Sequence, residues 1–361
     1  MKMVDLNIFN QIARIMKKLL YIFVPLLFSQ FSSASPNTIM CKQNLCKSDE
    51  CYEKDLTFHD DDLTSSNESI IQISAHNAKY YENLTPENNF VDITNQILQD
   101  QNVPDRMKAN IQKYNKKLLV FVYPSDDFQV PGFVTYTPSS KSDLVVYLRG
   151  GNSNFGIINP AFLAAYGNKT VLGTLYRGSV GPGKDEFGGA EVNDINNLVK
   201  FIPKIERHLK ENFRAKHKYL VGESRGGMEL FRAITKFTNL QKFFDKAISV
   251  SGAVDLESWS GERSRIHTMF QEKFGLTEQN KDSWFRLRSA KYSIDKIRKD
   301  FPILILQGTN DQRTGLTGGV ELFRMMQKSG HNITYWEIKD ANHCLVNCRD
   351  KLNIINEWLA R

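Results

Sequence analysis

The stretch LVGESRGGMELF, residues 220–231, sets Ser224 between Gly222 and Gly226, after an apolar run and before an amphipathic one. G-x-S-x-G in such a place is the pattern of a strand-to-helix turn so sharp that only small residues fit, and the serine hydroxyl then projects from the sheet edge. Three fixed positions recur by chance, so the motif gains meaning only from partners. A neutral serine hydroxyl is a poor nucleophile. It needs a histidine to take its proton and a carboxylate to hold that histidine. Asp311 follows the apolar run PILILQG, and His343 follows ITYWEIKD, in KDANHCL. Asp255, after KAISVSG, and Asp340, close to His343, are rival acids. Asp311 is favoured because its loop is better formed and the chain after Asp255 runs into a long helical insertion.

Acyl transfer also requires donors for a developing oxyanion. The backbone N–H of Arg225 is one candidate, and the glycine loop Arg149-Gly150-Gly151-Asn152 offers the amides of Gly150 and Gly151. The side chain of Arg149 is either a weaker donor or the partner of a nearby acid. Residues 253–300 carry Trp259, Phe270, Phe274, Trp284 and Phe285 and are expected to form a helical cap. Asn152, Trp259 and Trp284 are candidate pocket residues there, against the alternative that the aromatics simply pack the insertion. The chain has only seven histidines, and no H-E-x-x-H or comparable ligand set appears. Neither a metal nor another cofactor is expected.

The elements that must position these groups are legible as apolar runs. LLVFVYPSDDFQVPGFVTYTP reads as two strands joined by a polar turn, and DLVVYLRGG as a buried strand ending in glycines. TVLGTLYRG, KYLVG, KAISVSG, FPILILQG and ITYWEIKD are further strands. Between them, Val192, Ile195, Val199, Ile202 and Leu209 recur at helical spacing, with Pro203 expected to kink or split that helix. Met228, Phe231 and Ile234 give the helix after Ser224 its buried face. Strands alternating with helices imply a mostly parallel sheet covered on both faces, with functional groups beyond the strands' carboxyl ends. The order Ser, acid, His on that frame is the one expected of an α/β-hydrolase.

Residues 36–115 are polar and are expected to form an extension with short helices. The expected organisation is residues 1–34 as a signal peptide, 35–116 as this extension, and 117–361 as the α/β-hydrolase domain, with its insertion at about 253–300. From Met16, MKKLLYIFVPLLFSQFSSASP gives two lysines, a short apolar stretch and then small polar residues around Ala34. The apolar run is about half the roughly 20 residues of a membrane span. Cleavage, a start at Met16, no stable span after cleavage, and export to a periplasm or outside the cell are therefore expected. The net charge of +7 falls when that segment is removed and lacks an aromatic-plus-basic stripe, so nucleic acid is not an expected partner. Cys41, Cys46, Cys51, Cys344 and Cys348 suit an oxidising compartment, with pairing that spacing does not reveal. The C-x4-C-x4-C spacing lacks the tight knuckle of common zinc sites.

Several stretches together resemble the catalytic domain of the prolyl oligopeptidase family of serine peptidases. PSDDFQVPGFVTYTP is similar to its entry hairpin, VVYLRGGN to its His-Gly-Gly strand end, and YRGSVGPGKDEFGG to its Arg-Gly-Ser loop, with VGESRGG and LQGTNDQRT completing the series. The resemblance covers roughly residues 117–361 and implies Ser224 as nucleophile, Asp311 as acid and His343 as base. Arg149 stands where the family usually has a histidine, and the polar, non-repetitive stretch of about 80 residues cannot build the β-propeller that many members carry. The expected activity is hydrolysis of a small ester or a short peptide. A carboxylesterase with the same triad is the alternative, and a non-catalytic binding protein on a hydrolase scaffold is a weaker one.

Overall fold

A computed structural model describes residues 63–361 except 212, 214 and 349. The signal-like segment and Cys41, Cys46 and Cys51 lie outside the described residues. Among the described residues, nine strands form one sheet: β1 (Phe90–Asp92), β2 (Lys117–Ser125), β3 (Phe128–Tyr136), β4 (Leu144–Leu148), β5 (Thr170–Thr174), β6 (Lys218–Glu223), β7 (Lys246–Val250), β8 (Ile303–Gly308) and β9 (Ile333–Ile338). Their spatial order is β1-β2-β3-β5-β4-β6-β7-β8-β9. β1, β2 and β3 pair antiparallel, β3 runs antiparallel to β5, and every pairing from β5 through β4 to β9 is parallel. This is the expected α/β architecture, with β2 to β9 following the order of the α/β-hydrolase sheet.

Alternate residues of the central strands go to opposite faces, because side chains along a strand alternate with period two. Leu144, Val146 and Leu148 of β4 join one apolar core with Ile303 and Ile305 of β8, while Val145, Tyr147, Leu304 and Leu306 join the other. Both sets are buried, so the strands read as continuous apolar runs rather than as alternation.

On the described residues the helices are α1 (Leu63–Ala78), α2 (Thr94–Gln99), α3 (Asp105–Lys113), α4 (Val192–Leu209), α5 (Arg225–Lys236), α6 (Leu240–Phe243), α7 (Leu256–Glu262), α8 (Ser264–Phe274), α9 (Lys281–Arg288), α10 (Thr317–Lys328) and α11 (Lys351–Leu359). Residues of α4, α5 and α10 cover the first face, whereas those of α2, α3 and α11 cover the second. Of the expected kink or split at Pro203, the split does not occur: α4 runs through it. Pro203 lies on the exposed side, while Val192, Ile195, Leu198, Ile202 and Ile205 are buried on both sides of it, so packing on the sheet keeps the helix continuous.

The polar extension holds more than short helices. β1 pairs with β2 at Phe90↔Phe121, and Ile93, Ile97, Met107 and Ile111 share a core with Leu118 and Val120. A three-residue strand is too short to announce itself by alternation. The insertion is helical, as expected, and α7, α8 and α9 enclose a small core of their own with Phe187 and Met228. No helix among the described residues is long and apolar enough to cross a membrane.

Candidate active site

Strand registers bring the chemistry to one edge. Leu148 at the end of β4 lies beside Gly222 of β6, Glu223 beside Val250 of β7, and Gly308 of β8 beside Ile338 of β9. The loops leaving these ends carry Gly150, Ser224, Asp311 and His343, beyond the carboxyl ends of parallel strands. Ser224 occupies the turn itself, with φ 55° and ψ −122°, a region that costs a non-glycine residue about 1–3 kcal/mol. The glycines of the motif are needed for contact rather than for φ. A Cβ on Gly222 would fall on the Gly226 carbonyl, and one on Gly226 would fall on the Leu148 carbonyl.

Ser224 Oγ lies 2.9 Å from His343 Nε2, and His343 Nδ1 lies 3.0 Å from both carboxylate oxygens of Asp311. The Asp311 carboxylate is oriented locally. The amides of Arg313 and Thr314 donate to Oδ1, and the Thr314 hydroxyl donates to Oδ2. Burial works to raise the Asp311 carboxyl, but the His343 ring and these amides outweigh it and hold the group well below the usual carboxylate range. Burial likewise opposes charge on His343, and Asp311, helped by the Cys344 thiol, outweighs that and raises the ring above its ordinary value. Neither rival acid takes the place of Asp311. Asp255 caps α7 through the amides of Glu257 and Ser258 and pairs with Lys291 at 2.9 Å. Asp340 lies exposed, its amide donating to Thr309 Oγ1.

The glycine loop reaches the same point. A Cβ on Gly150 would lie 2.9 Å from Ser224 Cβ, so the backbone there approaches as closely as glycine allows. Arg149 neither faces an oxyanion position nor pairs directly with an acid. Buried and pushed down to about 10 by desolvation and by Arg225, it donates to the carbonyls of Gly150, Ser153, Phe155 and Leu175. It ties the loop to the end of β5.

Arg225 plays a part that the sequence reading missed. Its amide was singled out, yet its side chain is 1% exposed and forms ion pairs at 2.6 Å with Asp185, 2.6 Å with Glu191 and 2.9 Å with Glu229. It also donates to the Gly151 carbonyl at 3.0 Å. Burial pushes Glu229 up to about 8, against the pull of Arg225 and with the push of Glu191 and Asp185. Three carboxyl groups thus surround the Arg225 guanidinium, with Arg149 close by. The run KDEFGGAEVND, with its acids after the Arg-Gly-Ser loop, was the available signal.

The three candidate pocket residues separate. Asn152 lines a cleft of about 460 Å³ with Ser153, Asn154, Phe155, Lys184 and Lys273, and its amide group lies 3.7 Å from the Met269 sulfur of α8. Trp259 is partly buried, and its indole N–H donates to the Arg313 carbonyl at 2.7 Å, joining the cap to the Asp311 loop. Trp284 is buried in the core of the insertion, against Phe270 at 4.8 Å between ring centroids and under the Arg288 guanidinium. Cys348 is disulfide-bonded and Cys344 is a free thiol.

Solved structures with this fold include the acylaminoacyl peptidase of Pyrococcus horikoshii, at 17% identity and a TM-score of 0.55 over 67% of this chain and 41% of that one. Prolyl oligopeptidase B from Galerina marginata, bound to a 35mer hydrolysis and macrocyclization substrate, matches at 16% identity, with a TM-score of 0.51 over 67% and 36% of the two chains. A puromycin-hydrolyzing peptidase of Mycobacterium tuberculosis matches at 18% identity, with a TM-score of 0.50 over 64% and 36%. The chain therefore spans about two fifths of the length of the first of these enzymes, and at these identities the likeness concerns the fold. No curated protein sequence matches the chain. Residues 180–361, which carry Ser224, Asp311 and His343, match the model of the prolyl oligopeptidase family. With half of its length matched and its sheet, turn and motif order in agreement, the chain belongs to the prolyl oligopeptidase family.

Proposed function

We propose that the protein is an exported serine hydrolase that cleaves peptide or ester bonds through an acyl-enzyme on Ser224. The observation that carries this reading is the hydrogen-bonded series Ser224 Oγ, His343 Nε2, His343 Nδ1 and Asp311, at 2.9 and 3.0 Å, mounted on a strained turn. His343 takes the Ser224 proton as Oγ bonds to the substrate carbonyl carbon, and Asp311 stabilises the imidazolium so formed. The amides of Gly150, Gly151 and Arg225 stand ready for the oxyanion, and among the described residues none of them donates a hydrogen bond to a backbone or side-chain acceptor. Collapse of the tetrahedral intermediate breaks the C–N or C–O bond while His343 returns the proton to the leaving group. Water, deprotonated by His343, then releases the acid and restores Ser224.

The substrate class is a small ester or a short peptide, and a cleft of about 460 Å³ opens beside the glycine loop at Asn152 and Phe155. Export rests on the charged, then apolar, then small-residue pattern of residues 16–36 and is supported by the disulfide at Cys348, which suits an oxidising compartment. Sequencing the N-terminus of protein recovered outside the cytoplasm tests it: a mature chain beginning at Ser35 is expected, and an intact Met1 or Met16 contradicts cleavage. The chemistry is tested with p-nitrophenyl esters and peptide p-nitroanilides. Release of nitrophenol or nitroaniline by the unaltered protein, absent in Ser224→Ala, is the expected result. Turnover retained in Ser224→Ala removes Ser224 from the reaction.

A further inference from the structure

We infer that three residues of the polar N-terminal extension, Ser74, Asn77 and Tyr81, are positioning residues for the oxyanion loop. The inference rests on the hydrolase reading and extends it to a segment with no evident role in the sequence. All three side chains are buried. They meet three consecutive residues of the loop's return: the Gly156 amide donates to Ser74 Oγ at 2.9 Å, Asn77 Nδ2 donates to the Ile157 carbonyl at 2.7 Å, and the Tyr81 hydroxyl donates to the Ile158 carbonyl at 3.2 Å. These groups lie in a loop, where no ladder partner is available, and a buried backbone polar group needs a partner.

Gly156 in turn packs against the loop that carries the Gly150 and Gly151 amides. It has φ 81°, and a Cβ built on it would lie 3.2 Å from the Gly150 carbonyl oxygen and 3.3 Å from Gly151 Cα. Gly151 is packed as tightly from its own side, since a Cβ there would fall on the Phe155 carbonyl. Contact is thus continuous from α1 and the turn after it, through residues 156–158, to Gly150 and Gly151, and from Gly150 to Ser224. Arg149 and Arg225 hold the same loop from within the catalytic unit. The extension supplies its remaining wall, and a shift there moves donors that matter only when charge develops on the substrate oxygen.

Such a role has a kinetic signature. Loss of an interaction made in the transition state alone lowers kcat without a matching rise in KM. Removing one oxyanion donor outright costs about 100-fold or more in kcat, so displacing the loop through a lost support is expected to cost about tenfold. The experiment compares Tyr81→Phe, Ser74→Ala, Ser74→Thr and Asn77→Leu in the full chain. It reads kcat and KM on a p-nitrophenyl ester, and hydrogen exchange of the 150–158 segment by mass spectrometry. The expected result is faster exchange in that segment and about tenfold lower kcat in Tyr81→Phe, Ser74→Ala and Asn77→Leu, with KM within about twofold and with recovery in Ser74→Thr, which keeps the hydroxyl. Unchanged exchange and kcat in folded Tyr81→Phe and Ser74→Ala overturn the inference, as does a loss seen in KM alone. Absence of turnover in the unaltered protein contradicts the hydrolase reading instead, and the exchange comparison then still decides whether the extension holds the loop.

Discussion

The two arms of the candidate site are built by different means. Asp311 is held by groups two and three residues away, the amides of Arg313 and Thr314. The oxyanion arm is held by side chains far off in sequence: Arg225 reaches Glu191 across 34 residues and Asp185 across 40, and Ser74 meets Gly156 across 82. A turn that orients its own acid can be read from a short string such as GTNDQRT. A loop whose shape depends on a buried guanidinium and a distant helix cannot. The acid–base arm therefore follows from local chemistry, whereas the oxyanion arm is a product of tertiary packing.

This contrast can be broken at several points. Ser224→Ala has the largest expected effect, loss of turnover below detection with an unchanged urea midpoint, since the substitution removes only the hydroxyl of a residue at the surface of the turn. Next, Asp311→Asn is expected to lower kcat by about 10⁴-fold, as loss of the orienting carboxylate does in serine hydrolases. Its pH profile sharpens the point. Turnover requires the neutral imidazole and falls as pH drops through the His343 pKa. Burial opposes charge on the ring, but Asp311 overcomes it, so the acid limb of the unaltered protein should lie above the ordinary value of 6.5. Without the carboxylate that limb moves to lower pH. A limb that does not move separates Asp311 from His343.

On the other arm, Arg225→Met leaves Asp185, Glu191 and Glu229 without their buried cation. The expected cost is about 3–5 kcal/mol of stability by urea unfolding, because breaking a buried pair leaves uncompensated charge. A cost under about 1 kcal/mol, the range of exposed pairs, would show that the cluster is screened by water. The smallest effect is expected for Asn152→Ala in the cleft beside the loop: a few-fold rise in KM with kcat unchanged, the mark of binding that is equal in ground and transition states.

Legibility followed the same division. The strands from β2 to β9 were visible because two buried faces make each a continuous apolar run, and Ser224, Asp311 and His343 were visible because each directly follows one. β1 was hidden by its three-residue length. Trp284 looked like a pocket residue because an aromatic in an insertion has the same composition whether it lines a cleft or packs one, and only its burial against Phe270 separates the two. Arg149 showed in sequence as a departure from the family's histidine. Its bonds to the carbonyls of Gly150, Ser153 and Phe155 give it a structural task there, but those carbonyls have no signature in the residue types. The helix does not split at Pro203, because the rule for proline concerns local backbone bonding and the packing of a whole helix face keeps the helix continuous.

The central claim is that Ser224 is an activated nucleophile, and covalent labelling with a fluorophosphonate probe tests it most directly. The unaltered protein, Ser224→Ala and His343→Ala are treated in parallel and the adduct is located by peptide mapping. Labelling confined to Ser224, absent in Ser224→Ala and lost or strongly slowed in His343→Ala, is the expected result. Folded protein that takes up no label, or that is labelled equally well without His343, contradicts the account.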